Sequence, residues 1–195
     1  MGCGASGGSG GSIQEAIREG SDTRVREIIR GNPNKVAVKV GPDGETLVHF
    51  TVRNEPGEKA LCLESLLRSP GVDMQLVNKE GRTALHVAAV EGKAAAAHIL
   101  VRSGTRCEVL DLDGQTALHL AAQSSKEGCI KAMLDCGVAA DVKNKSGQTA
   151  LHVAAGVGAV ACVEALLEGK ASPAALDAQG RTALHEAAVS GHKAV

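Results

Sequence analysis

Thr83-Ala84-Leu85-His86 recurs as Thr116-Ala117-Leu118-His119, Thr149-Ala150-Leu151-His152 and Thr182-Ala183-Leu184-His185, at three successive intervals of 33 residues. A fixed period of this size marks stacked supersecondary units. A diverged copy, Thr46-Leu47-Val48-His49, stands 37 residues before Thr83, which implies four inserted residues. Asn54-Glu55-Pro56-Gly57 and Ser69-Pro70-Gly71 are the stretches with the loop chemistry to hold them.

The same order of signals surrounds each copy. A turn comes first: Asn78-Lys79-Glu80-Gly81, Asp111-Leu112-Asp113-Gly114, Asn144-Lys145-Ser146-Gly147 and Asp177-Ala178-Gln179-Gly180, with Gly41-Pro42-Asp43-Gly44 before the diverged copy. Asn or Asp at the first place and Gly at the fourth spell a type I turn, so these residues read as fingertips. Thr then caps a short helix on which Leu85, Ala88 and Ala89 and their copies share one face. After a break at Glu91-Gly92, Ser124-Ser125, Val157-Gly158 or Ser190-Gly191, a second helix carries apolar pairs at helical spacing, such as Ala96, Ala97, Leu100 and Val101. It ends at Gly104, at Gly137 and near Gly169, where a glycine cap belongs.

This pattern resembles the ankyrin repeat, whose TPLHxAA, glycine, VVxxLL and GAD segments and 33-residue period are matched here with Ala in place of Pro. The resemblance covers roughly residues 12–195. It implies an all-α solenoid of antiparallel helix pairs with β-hairpin or turn fingers along one edge. The expected divisions are a Gly/Ser-rich leader at 1–11, an atypical cap at 12–40, a degenerate repeat at 41–77, repeats at 78–110, 111–143 and 144–176, and a truncated repeat at 177–195. Charged residues replace the signature in the cap, as a terminal repeat with a polar outer face requires. The last copy stops where its second helix should begin, so the chain is expected to be a fragment of a longer protein.

Composition narrows the function. Lys and Arg number 21 against 22 Asp and Glu, and there is one Phe, Phe50, with no Trp or Tyr. A near-neutral chain without stacking faces argues against a nucleic-acid partner. Six cysteines, at positions 3, 62, 107, 129, 136 and 162, show no CxxC pair and no zinc-ligand rhythm, and no secretory signal precedes them. They read as reduced thiols of the cytoplasm or nucleus. No apolar run approaches the ~18 residues of a spanning helix.

His49, His86, His119, His152 and His185 form a regular row. Equivalent side chains in stacked repeats lie about 8–10 Å apart, whereas zinc ligands converge to about 2 Å from one point. No metal site is expected, and each His reads as partly buried and bonded to backbone near its finger. A cysteine nucleophile needs a base and an orienting group, and Cys107, between Arg106 and Glu108, is the one thiol in a polar neighbourhood. GxxxxGK[ST], HExxH, GxSxG and kinase signatures are absent, so no catalytic residue and no cofactor is expected.

Met1-Gly2-Cys3-Gly4-Ala5-Ser6 fits the pattern M-G-x-x-x-[ST], which predicts myristoylation of Gly2, with Cys3 open to palmitoylation. One myristoyl chain binds a membrane only marginally, at about 10⁴ M⁻¹, and a second lipid makes the anchor durable. The competing reading is an unmodified glycine-rich leader, and the leader sequence has no strong basic cluster to add attraction.

The resemblance places partner proteins on the fingertips and on the concave face of the first helices. Carried over residue by residue, this gives Lys79, Glu80 and Arg82; Leu112, Asp113 and Gln115; Lys145, Ser146 and Gln148; and Gln179 and Arg181 on the fingers. On the helices it gives Val87, Val90 and Glu91; Leu120, Gln123 and Ser124; and Val153 and Val157. The expected function is a protein-binding scaffold or adaptor, tethered to the cytoplasmic face of a membrane if Gly2 and Cys3 are acylated. The alternative is the targeting region of a larger enzyme, such as a ubiquitin ligase, kinase or acyltransferase, or of a channel.

Overall fold

The computed structural model describes residues 12–31, 39–40, 43–57 and 59–193. The elements are α1 (Ile13–Arg18), α2 (Asp22–Gly31), β1 (Lys39–Val40), β2 (Glu45–Thr46), α3 (Leu47–Asn54), α4 (Leu61–Leu67), α5 (Ala84–Glu91), α6 (Ala94–Arg102), α7 (Ala117–Gln123), α8 (Glu127–Asp135), α9 (Ala150–Val157), α10 (Val160–Glu168) and α11 (Ala183–Val189). They form two layers. The first helices α1, α3, α5, α7, α9 and α11 pack in sequence, and the second helices α2, α4, α6, α8 and α10 lie behind them.

The first helices after α1 each start on a Thr, whose hydroxyl side meets the backbone of the residue three along while that residue, a histidine, reaches back to the Thr N–H. This is a capping box in which His takes the place of the usual Glu. Ala88 and Ala89, Ala121 and Ala122, and Ala154 and Ala155 are all buried, and their small side chains let neighbouring helices approach closely. Leu85, Leu118 and Leu151 meet Leu66, Leu100, Ile130, Met133 and Leu166 in one continuous core.

The start of α1 is held by a reciprocal pair, in which the Ser12 hydroxyl accepts from the Glu15 N–H at 3.2 Å and the Glu15 carboxylate accepts from the Ser12 N–H at 2.8 Å. Ile13, Ala16, Ile17, Val25 and Ile29 turn inward, and Arg18 lies over the Phe50 ring at 5.3 Å.

The four extra residues of the diverged copy lie in the α3–α4 link, which runs from Glu55 to Ala60 where the α5–α6 link has only Gly92 and Lys93. Glu55 explains how the longer link is anchored. Its buried carboxylate accepts from the Cys62 N–H at 2.6 Å and the Leu63 N–H at 3.0 Å, so it caps α4 from inside the loop. The second-helix layer is looser at this point: α2 and α4, α6 and α8, and α8 and α10 pack directly, whereas a hollow lined by Leu67, Arg68, His98 and Ile99 opens between α4 and α6.

Gly169 is not the left-handed cap of α10. Its φ is −76°, and Lys170 takes the positive value of +64° that Gly104 and Gly137 hold in earlier copies. A side chain at 169 would come within 2.4 Å of Leu134, so the glycine there serves close packing and leaves the strained position to lysine. Among the described residues, β1 and β2 are the one strand pair, joined Lys39 to Thr46 and Val40 to Glu45; the later fingers are turns without strands. No helix of the described residues is long and apolar enough to cross a membrane.

Candidate interaction surface

The fingers are built by their first residue. Asn78 Oδ1 accepts from the N–H groups of Glu80 and Arg82, each at 3.0 Å, and Asp111, Asn144 and Asp177 do the same for their own turns at 2.8–3.1 Å. A backbone ladder joins successive tips: the Lys79 N–H donates to Asp43, Leu112 to Glu80, Lys145 to Gly114 and Ala178 to Ser146. The fingers are therefore ordered before any partner arrives, and Lys79, Glu80, Leu112, Asp113, Lys145, Ser146 and Gln179 stand exposed at their ends.

The residue after each tip glycine has internal work. Arg82 donates through Nε to buried Asp111 at 3.2 Å, Gln115 accepts from Asn144 at 3.2 Å, Gln148 donates to Glu186 at 2.9 Å, and Arg181 pairs with Asp177 and Glu186 at 3.0 and 2.7 Å. These four side chains tie one repeat to the next or brace the finger of their own turn.

The helix face differs from its sequence reading. Val87 is 2% exposed and Leu120 4%, so both belong to the core. Each follows its capping Thr by one turn and belongs to the same buried cluster as Ala88 and Ala121. Val90, Val153 and Ser124 are half-buried, and Glu91, Gln123 and Val157 are exposed, Val157 at 44%. Arg53 joins Glu91 at 3.5 Å and Glu45 at 2.7 Å, which places a charged cluster at the start of this face.

Sequence reading missed a second feature. Val77, Leu110 and Leu176, the residues just before three of the turns, are each more than two-fifths exposed, and Leu112 is 67% exposed at a tip. Lys143 fills the equivalent place between Leu110 and Leu176, with its ammonium tied to the Leu176 carbonyl at 2.8 Å. Exposed apolar residues thus recur along the fingers at the period of the repeat, interrupted at Lys143. The 33-residue register would have found it had the pre-turn position been aligned across copies.

The histidines sit behind this surface. His49, His86, His119 and His152 accept on Nδ1 from their Thr and donate through Nε2 to the carbonyls of Arg82, Gln115, Gln148 and Arg181 in the following copy, at 2.8–3.2 Å. Burial holds His49, His86 and His119 below the ordinary imidazole value of 6.5. Burial also pushes the Cys62 thiol up to about 12 and Cys129 to about 11, and raises Cys107 and Cys162, which weakens each as a nucleophile. Among the described residues no three His, Cys, Asp or Glu side chains gather as a metal site. Gly2 and Cys3 lie outside the described residues.

The family profile described as ankyrin repeats (three copies) matches residues 57–138 and 124–195. The chain belongs to the ankyrin-repeat family. Ankyrin repeats generally bind other proteins. The Notch-regulated ankyrin repeat-containing proteins of Homo sapiens and Xenopus tropicalis are each 33% identical over 82 residues, which is 41% of this ankyrin chain and 68% of the relative. The crystal structure of an ankyrin repeat protein superposes with a TM-score of 0.77 at 25% identity, over 96% of this chain and 95% of the other.

Proposed function

We propose that the chain is a non-enzymatic adaptor whose partner protein lies, as an extended peptide or a helix, along the fingers and the adjoining first-helix face. The exposed row of Val77, Leu110 and Leu176, with Leu112 at a tip, carries this reading. An apolar row on a prearranged ladder lets a partner bury surface without the ordering cost of a mobile loop. Lys79, Glu80, Asp113 and Lys145 flank it and would set charge preference and encounter rate. The leader pattern at Gly2 and Cys3 supports a tether to the cytoplasmic face of a membrane.

Two measurements test the two halves separately. Proteins retained by the wild-type chain and lost by Leu110→Asp with Leu112→Asp support the finger row; an unchanged set overturns it. Intact mass of the chain from eukaryotic cells tests the tether, which falls if the N-terminal peptide carries no acyl group.

A further inference from the structure

The side of the molecule away from the partner face brings together arginines that are far apart in sequence. Arg26, Arg30 and Arg68 line a hollow of about 480 Å³ between α2 and α4, with Ser65 and Ser69. Arg68 also lines a second hollow, of about 440 Å³, between α4 and α6, together with His98 and Arg102. Arg26 is partly occupied, donating to the Ser65 hydroxyl at 3.0 Å and pairing with Asp22 at 2.7 Å, and Arg68 pairs with Glu64 at 2.5 Å. Arg30 and Arg102 have no carboxylate partner among the described residues. Glu64 is the one acid among the residues lining either hollow.

The excess of basic over acidic residues lies in this half of the array, where Arg24, Arg26, Arg30, Arg68 and Arg102 stand against Asp22, Glu27 and Glu64. Farther along the same layer, α8 and α10 bear Glu127, Asp135, Glu164 and Glu168 against Lys131. Neither basic hollow has an aromatic face. What they present is guanidinium groups on long exposed side chains, which suits a fluid sheet of phosphates better than one shaped ligand.

We infer that this basic face, spanning α2, α4 and α6, docks on the phosphate-bearing headgroups of an anionic bilayer. It would leave the first-helix face, behind which the second helices lie, free for a partner. The inference is independent of acylation and is tested on the full chain produced without lipid.

The probe is sedimentation with vesicles of phosphatidylcholine containing about one-third phosphatidylserine, against phosphatidylcholine alone. Binding is expected only to the charged vesicles, and it should fade as salt shortens the screening length. Each exposed arginine near such a surface contributes roughly fivefold, so Arg30→Gln with Arg102→Gln should weaken binding about 25-fold. The pair Lys79→Glu with Lys145→Glu, on the fingers, alters net charge at least as much and should leave binding unchanged. Circular dichroism of each variant checks that the fold is retained. The inference is overturned if the unmodified chain ignores charged vesicles, or if the finger pair weakens binding as much as the arginine pair. Competition by inorganic phosphate at constant ionic strength, or preferential retention of RNA at low salt, would assign the face to a soluble anion or a nucleic acid and overturn it too.

Discussion

The Nε2–H of His119 donates to the carbonyl of Gln148 across 2.9 Å, so the histidine of one repeat is satisfied by the backbone of the next. On its other side the ring accepts from the Thr116 hydroxyl at 2.7 Å and N–H at 3.4 Å. Replacing His119 by Ala leaves a buried Thr hydroxyl and a carbonyl without their partner. The expected cost is about 2–3 kcal/mol in urea unfolding, whereas loss of a partly solvated contact would register under about 1 kcal/mol.

The tautomer fixed by these bonds makes the fold sensitive to acid. With Nδ1 facing two donors and the ring buried, the charged form of His49, His86 and His119 is disfavoured when folded. Their folded pKa values lie below 6.5, so the unfolded chain takes up protons first and stability falls as pH drops through 6.5 toward the folded values. The slope can reach at most about 4 kcal/mol per pH unit if all three rings stay neutral. Urea midpoints that stay flat between about pH 7.5 and 5.5 would refute this.

Scaffold and surface separate cleanly at two neighbouring first helices. Leu120→Ala empties a packed site and should destabilise by about 2–4 kcal/mol. Val157→Ala, at a 44% exposed side chain, should stay within about 0.5 kcal/mol. Thermal unfolding of both variants is the check, and equal losses would mean that Leu120 is not a core residue.

Three non-glycine residues among those described hold a left-handed backbone, Ala60, Ser125 and Lys170, and the last two stand where other copies carry glycine. Ser125, at φ +56°, stands where the other copies place Gly92, Gly158 and Gly191, and Lys170, at φ +64°, stands where Gly71, Gly104 and Gly137 do. Ser125→Gly and Lys170→Gly should each raise stability, by up to about 1 kcal/mol, because relief of left-handed strain exceeds the added freedom of the unfolded chain. A lower unfolding midpoint for either variant would show that its side chain makes a contact worth more than that strain.

What the sequence conveyed was whatever repeats locally. The Asn78 and Asp111 turns, the Thr83 caps and the Leu85 core positions follow from neighbours a few residues away, and all recur every 33 residues. The burial of Val87 and Leu120 depends on how closely α5, α7 and α9 approach, which a single helical wheel does not contain. The convergence of Arg26, Arg68 and Arg102 depends on stacking across three copies, and no local charge run announces it. The place of the insertion was ambiguous because Pro56-Gly57 and Pro70-Gly71 have the same turn chemistry; the carboxylate of Glu55 on the start of α4 distinguishes them.

The longer link between α3 and α4 lies about 12 Å, the length of an eight-residue helix, from the fingers. The Lys79 N–H still reaches Asp43 across the 37-residue copy, as Leu112 reaches Glu80 across a 33-residue one. One margin of the array can therefore be lengthened, by mutation over generations or by a deliberate graft, while the other keeps its spacing. The two margins of this molecule are free to diversify on separate schedules.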